Sequence, residues 1–512
     1  MRRPDDAIVL HARDDVAIAK NDLAAGATIT VEGTAIALRD DIRAGHKLAR
    51  RAIAAGEPVR RYGEIIGFAS APIAAGDWVH VHNLAVGALA QTYDVGKNAR
   101  PVNFYSPGQM RFFDGFARPD GRVGTRNYIA VIATVNCSAS VSSFVRERFR
   151  DVKQQYPNLD GVIALTHKSG CGQVLNGPDH LLLERVMAGY ARHPNVAAYV
   201  IVGLGCEVNQ PLPLIERHKL SLMDDPSQRP PVITIQEAGG VRKAVEAAVA
   251  AVAQLLPRAN DARRRPQPLS QLVLATNCGG SDGNSGITAN PALGWAVDEL
   301  IRYGGTGVLA ETTEIDGAEQ VLIARAQSKT VADKLLARIA WWKKHLAQFG
   351  AETNHNPAPG NKAGGLTTVF EKSLGGIAKA GTTPLMDVVE YAQPITSKGF
   401  VFMDTPGHDP VSMTGLVAGG ANIICFTTGR GSVFGCKPTP SIKLATNTRL
   451  YQRMEDDMDI NCGVILEGAS VADVGRQIFE ELCAVASGKQ TKSELSGVGE
   501  EEFAPWSLGP VL

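Results

Sequence analysis

The chain has 512 residues, 44% of them hydrophobic and 20% charged, and its 52 basic and 52 acidic residues give a formal net charge of +0. That balance leaves no electrostatic footprint for nucleic acid or an anionic membrane surface. No run of about 18 apolar residues is present to span a bilayer, and the start lacks the apolar core of an export signal, so a cytoplasmic protein with eight reduced cysteines is expected.

The length predicts several domains. Residues 1–95 read as a small β-rich domain, with short apolar runs at 8–10, Val16–Ala19 and Thr28–Val31 between Asp and Gly turns. The pattern Ile-x-x-Gly recurs from Ile42, Ile53 and Ile73. This domain also carries His46, Lys47, His80 and His82. Two residues apart on a strand, His80 and His82 would share a face and could hold a metal or exchange protons with a substrate.

Residues 96–112 contain Pro101 and Pro107 and are expected to be a linker. An α/β domain is expected over 113–256, with helices at 141–156 and 180–191 alternating with apolar strands, which argues for a mainly parallel sheet. Arg126, just before the first strand, can clamp a carboxylate bidentately. Residues 257–268 read as a second linker. The last domain, 269–512, opens with an apolar run at 272–275 that feeds the loop Thr276-Asn277-Cys278-Gly279-Gly280-Ser281-Asp282-Gly283. A strand ending in a glycine-rich turn before a helix places its loop at the carboxyl edge of a sheet, where α/β proteins bind ligands. Further along, Glu311 and Glu314 follow another apolar run. Lys362 sits in a turn-rich loop, and the strand before Thr427-Thr428-Gly429-Arg430-Gly431 ends in a plausible anion cradle.

Four apolar runs each deliver a cysteine just past their end: Cys137, Cys171, Cys206 and Cys278. A single buried cysteine is usually inert. Four at equivalent places are better explained by a shared site at one edge of the fold.

The stretches 45–47, 61–63, 121–127, 169–171, 203–207, 278–290, 356–365, 427–431 and 441–446 together resemble the altronate/galactarate dehydratases, hydro-lyases of sugar acids. They span nearly the whole chain in order. The resemblance implies an N-terminal β-clip (SAF-type) domain followed by two α/β domains. It implies conversion of an aldonate or aldarate to its 2-keto-3-deoxy acid, and association with iron(II) or a similar divalent metal. The segment 79–83, with its two histidines, resembles the altronate branch. Asn277 departs from the Glu or Gln usual before this cysteine.

On this basis His46, Lys47, His80 and His82 are the catalytic candidates. Tyr62, Arg126, Asn127, Ser281, Asp282, Lys362, Arg430 and Lys443 are the substrate-binding candidates. Cys137, Cys171 and Cys278 are candidate metal ligands, with His80 and His82 as the alternative. A mononuclear iron is expected, with an iron–sulfur cluster as the second possibility, since soft thiolates suit clusters. A homodimer acting on a small sugar acid, altronate first and galactarate or another aldarate second, completes the expectation. A sulfolactate-type sulfo-lyase and a non-catalytic sugar-acid sensor are the rival readings.

Overall fold

The computed structural model describes residues 6–89 and 91–508. Residues 1–5, 90 and 509–512, which belong to the expected first and third domains, lie outside the described residues.

The N-terminal domain is built of short antiparallel strands. Ala7–Ile8, Val16–Ala19, Lys47–Ala49 and Trp78–Val79 form one sheet in that order, and Pro58–Arg61, Glu64–Ala69 and Leu84–Ala85 form another. The recurring Ile-x-x-Gly unit is a turn. Ile42, Ile53 and Ile73 are buried and bridged to partner segments. The glycine that follows each, at Gly45, Gly56 and Gly76, has φ between 82° and 87°, a conformation that favours glycine.

The second domain carries a four-stranded, all-parallel sheet in the order Gly161–Leu165, Tyr128–Ala133, Val196–Gly203, Val232–Thr234. Its strands are apolar throughout because both faces are covered. Ile129 and Val131 face the helices Ala139–Glu147 and Val241–Asp261. Tyr128, Ala130 and Ile132 face a core shared with the third domain. The two domains therefore share one apolar interior, and Gly189 of the helix Pro178–Ala191 abuts Ala418 of the helix Asp409–Ala418.

The third domain is organised on a seven-stranded, all-parallel sheet. Its order is Leu385–Val389, Gly399–Met403, Thr306–Leu309, Val273–Cys278, Ile423–Thr428, Ser441–Ala445, Ile460–Asn461. The chain starts at the central strand, builds to one side, then returns to build the other. The switch point lies between Val273–Cys278 and Ile423–Thr428. There the Cys278 loop and the Thr427–Arg430 loop run side by side past the strand ends, the Gly429 and Arg430 amides donating to the Gly280 carbonyl, at the edge where such sheets usually bind ligands. No helix of the described residues is long and apolar enough to cross a membrane.

Three local expectations are corrected. The stretch 257–268 is no linker: the helix Val241–Asp261 runs through Pro257, and Arg264–Pro268 is a strand paired with Phe112–Ala117. The segment 96–112 lacks regular structure over most of its length, but Val102, Tyr105 and Met110 pack on the main core. The helix expected over 141–156 breaks into Ala139–Glu147 and Val152–Gln155.

Candidate active site

The N-terminal domain docks on the third in part through the short segment 362–365. His46 Nε2 lies 3.3 Å from the Ala363 carbonyl, His80 Nε2 lies 2.9 Å from the Lys362 carbonyl, and Lys47 Nζ donates to the Gly365 carbonyl at 2.6 Å. Gly365 has φ 99°, and a side chain there would strike the Gly45 carbonyl at 2.5 Å. Below this seam Glu371 accepts from Lys47 at 2.9 Å and from Arg61 at 2.6 Å, and Arg61 also donates to the Gly283 carbonyl. All three side chains are enclosed.

Burial sets the charge states. Alone it would raise the Glu371 carboxyl, but Lys47 and Arg61 outweigh it and hold the group down at about 2. Lys47 is pulled down to about 8 by burial and by Arg61, against the attraction of Glu371. His46 falls to about 4, first through burial and then through Lys47 and His80. It is therefore neutral at pH 7. Trp78 Nε1, which can only donate, points to His46 Nδ1 at 3.2 Å. The ring hydrogen of His46 then resides on Nε2, aimed at Ala363. The rings of His46 and His80 stack at 5.3 Å.

His46 also lines a cavity of about 980 Å³ between the two domains. Arg43, Arg430, Arg449 and Arg453 stand on its wall with Asp282, Asn284 and Asn447. Asp282 accepts from Thr446, Ser285, Asn447 and the Asn284 amide. Burial nonetheless raises its carboxyl. Guanidinium groups and amides around one void suit a carboxylate that carries hydroxyls.

A second polar centre lies buried at the end of the central strand. Lys379 Nζ donates to Cys278 Sγ at 2.8 Å and to Glu311 at 3.3 Å, and Lys372 donates to Glu314 at 2.7 Å. Cys278, Glu311 and Glu314 place ligand atoms within 4.8 Å of one another. Burial, with Glu314 alongside, pushes Glu311 up to about 8, and burial pushes Cys278 up to about 11. Glu311 has φ 69°, backbone strain of the kind found at functional sites. Glu311 Oε1, Asn277 Oδ1 and Thr313 Oγ1 are buried without a hydrogen-bond partner. Orphaned oxygens beside a thiol and a second carboxylate suit a metal ion, although the ammonium groups of Lys372 and Lys379 now supply the positive charge there. Lys372 and Lys379 were not legible as site residues, because they lie on a segment that reads as an apolar helix end.

The remaining candidates are scattered. Arg126 uses its guanidinium on Glu494, Thr125, Val485 and Lys489, so it staples the second domain to the C-terminal segment and cannot clamp a ligand. Asn127 bonds Arg118, Asn158 and Ala259. Lys443 is buried on Ser493 and the Phe434 carbonyl. Tyr62 packs against Gly286 under the Arg61 guanidinium, outside the cavity lining. The Ser281 carbonyl accepts from Asn361, and Lys362 contributes its carbonyl to the seam. His80 and His82 do not share a face. The strand ends at Val79, and Asn83 closes a turn on the His80 amide and the Trp78 carbonyl, burying His80 and exposing His82 beside the Trp78 ring. Cys278 does not join Cys137 and Cys171. It ends a strand of the third domain's sheet and faces Lys379, Glu311 and Glu314, whereas the other two follow strands of the second domain.

Comparison with known proteins accords with this architecture. Three family models match in succession: the altronate/galactarate dehydratase SAF domain over residues 5–87, the D-galactarate dehydratase/altronate hydrolase second domain over 115–260, and the D-galactarate/altronate dehydratase C-terminal domain over 269–511. The chain is 36% identical over 507 residues to an altronate dehydratase of Bacillus subtilis strain 168, covering 99% of each protein. It is 34% identical over 490 residues to an altronate dehydratase of Escherichia coli K12, covering 95% of this chain and 96% of the relative. It is 36% identical over 516 residues to a galactarate dehydratase (L-threo-forming) of the same bacterium, covering 98% of this chain and 97% of the relative. With all three models matched in order and relatives of this identity spanning both proteins almost end to end, the chain belongs to the altronate/galactarate dehydratase family.

Proposed function

We propose that this chain is a hydro-lyase that converts a sugar acid, altronate, to its 2-keto-3-deoxy acid. The observation that carries the proposal is the arginine-walled cavity with His46 at its rim. Removal of the weakly acidic C2 proton puts charge on the substrate carboxylate, which guanidinium groups stabilise more strongly as it develops. Arg43, Arg430, Arg449 and Arg453 suit that role, and Asn284 and Asn447 suit the hydroxyls. His46 offers a hydrogen on Nε2, so a substrate oxygen can take the place of the Ala363 carbonyl. Proton transfer is assigned to the neighbouring His80 and His82, because Trp78 already occupies the His46 Nδ1 lone pair. Cys278, Glu311 and Glu314 are the residues that would hold iron(II), which when bound supplies Lewis-acid stabilisation of charge on oxygen. A homodimer is part of the same proposal.

The test is a substrate panel. The protein is incubated anaerobically with iron(II) and thiol and with altronate, galactarate, other aldonates and aldarates, and sulfolactate, and 2-keto-3-deoxy acids are assayed. Product from altronate is expected. Product from galactarate alone reassigns the substrate, sulfite release from sulfolactate reassigns the leaving group, and no turnover of any compound overturns the proposal.

A further inference from the structure

Cysteine is among the most buried residue types, and five of the eight here are buried: Cys278, Cys425, Cys436, Cys462 and Cys483. The three exposed ones, Cys137, Cys171 and Cys206, all fall at one place. They follow Tyr128–Ala133, Gly161–Leu165 and Val196–Gly203, three neighbouring parallel strands of the second domain. Their loops are stapled together. The Asn136 amide donates to the Ser169 carbonyl and Asn136 Nδ2 to the His167 carbonyl. The Asn209 amide donates to the Gly170 carbonyl and Asn209 Nδ2 to the Thr134 carbonyl. Gly170, at φ 97°, packs so closely that a side chain would meet the Thr134 carbonyl at 2.3 Å.

We propose that Cys137, Cys171 and Cys206 hold an iron–sulfur cluster, at a site separate from the arginine-walled cavity, whose lining includes none of them. The ligand type follows from chemistry: three thiols select soft iron–sulfur chemistry over a hard ion, and the imidazole and carboxylate of these same loops, His167 and Glu207, are already engaged. His167 has both nitrogens engaged, with Nε2 at the Ala133 carbonyl and Nδ1 accepting from the Ser169 amide. Glu207 is spent on Leu204, Gly205 and Thr134. Neighbouring strands lie about 4.8 Å apart per step, and the bonds that tie the loops together hold the three thiols on one edge of the sheet, near enough to share one cluster. Each thiol gives up its proton on ligating. Three protein ligands leave one iron open to a small oxygen ligand from solution.

The test uses the full chain, reconstituted anaerobically with iron and sulfide and freed of excess by gel filtration. Acid-labile sulfide, with protein-bound iron at least equal to it and visible charge-transfer absorbance, is expected. Cys137→Ser, Cys171→Ser and Cys206→Ser should each lose most of the sulfide and the absorbance while keeping the wild-type circular dichroism, and Cys278→Ser should retain both. Absence of sulfide from wild type, or its loss in Cys278→Ser with retention in the other three, overturns the proposal. Metal and sulfide are counted without substrate, so the outcome is independent of whether altronate is dehydrated.

Discussion

The Lys47–Arg61–Glu371 triad makes a quantitative prediction about how the first domain is held. Glu371 accepts from Lys47, Arg61, the Thr367 amide and the Thr367 hydroxyl. Replacing it with Gln strands two buried cations, and breaking a buried pair costs about 3–5 kcal/mol. Linkage gives a similar figure: a carboxyl held near 2 against an ordinary 4.5 corresponds to roughly 3 kcal/mol at 1.36 kcal/mol per unit. That stability is present above the unfolded pKa and is lost as the pH falls towards 2. Lys47, lowered to about 8, pulls the other way, since burying its charge costs free energy at neutral pH. The net worth of the triad is therefore well below the cost of breaking it. Urea unfolding followed by tryptophan fluorescence should show Glu371→Gln destabilised by about 3–5 kcal/mol. The triple variant Lys47→Met, Arg61→Met, Glu371→Leu should lose much less than that single one. A Glu371→Gln cost below about 1 kcal/mol, or a triple variant at least as unstable, would refute the reasoning.

Other predictions follow from the same geometry. His82→Ala should leave the fold intact and reduce turnover of the identified substrate by roughly 10²–10⁴, the range for a general acid–base group; near-normal turnover in both His80→Ala and His82→Ala would remove them from the chemistry. Because burial, Lys47 and His80 lower His46 to about 4, the unfolded chain binds the extra proton between about pH 6.5 and 4. Stability should therefore fall on acidification through that window, and His46→Gln should flatten the fall in a series of melts. Arg430→Met should raise KM roughly tenfold to a hundredfold, the scale of a lost charged hydrogen bond, with the melting temperature unchanged. Arg126→Met should do the reverse, lowering the melting temperature while leaving KM alone, because its partners Glu494 and Val485 are structural.

The two parallel sheets were readable because strands covered on both faces appear as near-continuous apolar runs. The runs before Cys137 and Cys278 are strands of two such sheets. The loop at 279–286 announced itself through its glycines, and Asp282 and Arg430 do reach one cavity. What could not be read is any pairing set by the return of a distant segment. Arg126 has the chemistry of a carboxylate clamp, and only the fold reveals that its carboxylate is Glu494, 368 residues away. Lys372 and Lys379 lie on and just after the helix Val369–Ile377, whose pattern is that of a buried packing element. Their meaning arises only where that helix passes the end of the central strand. The face shared by His80 and His82 was lost to one residue, Asn83, whose side chain closes a turn where the strand was expected to continue.

The seam at residues 362–365 has a consequence for how this molecule tolerates change. His46, His80 and Lys47 all read main-chain carbonyls there, those of Ala363, Lys362 and Gly365. The first domain thus gauges where the backbone runs at the end of the short helix Pro359–Ala363 and through the glycines after it, and is indifferent to most of the side chains displayed there. Ala363, whose side chain is exposed, can be exchanged for a polar residue without touching any of the three contacts. Deleting one residue from this helix end turns and shifts the carbonyls out of register, so the joint should withstand substitution and fail abruptly on a change of length.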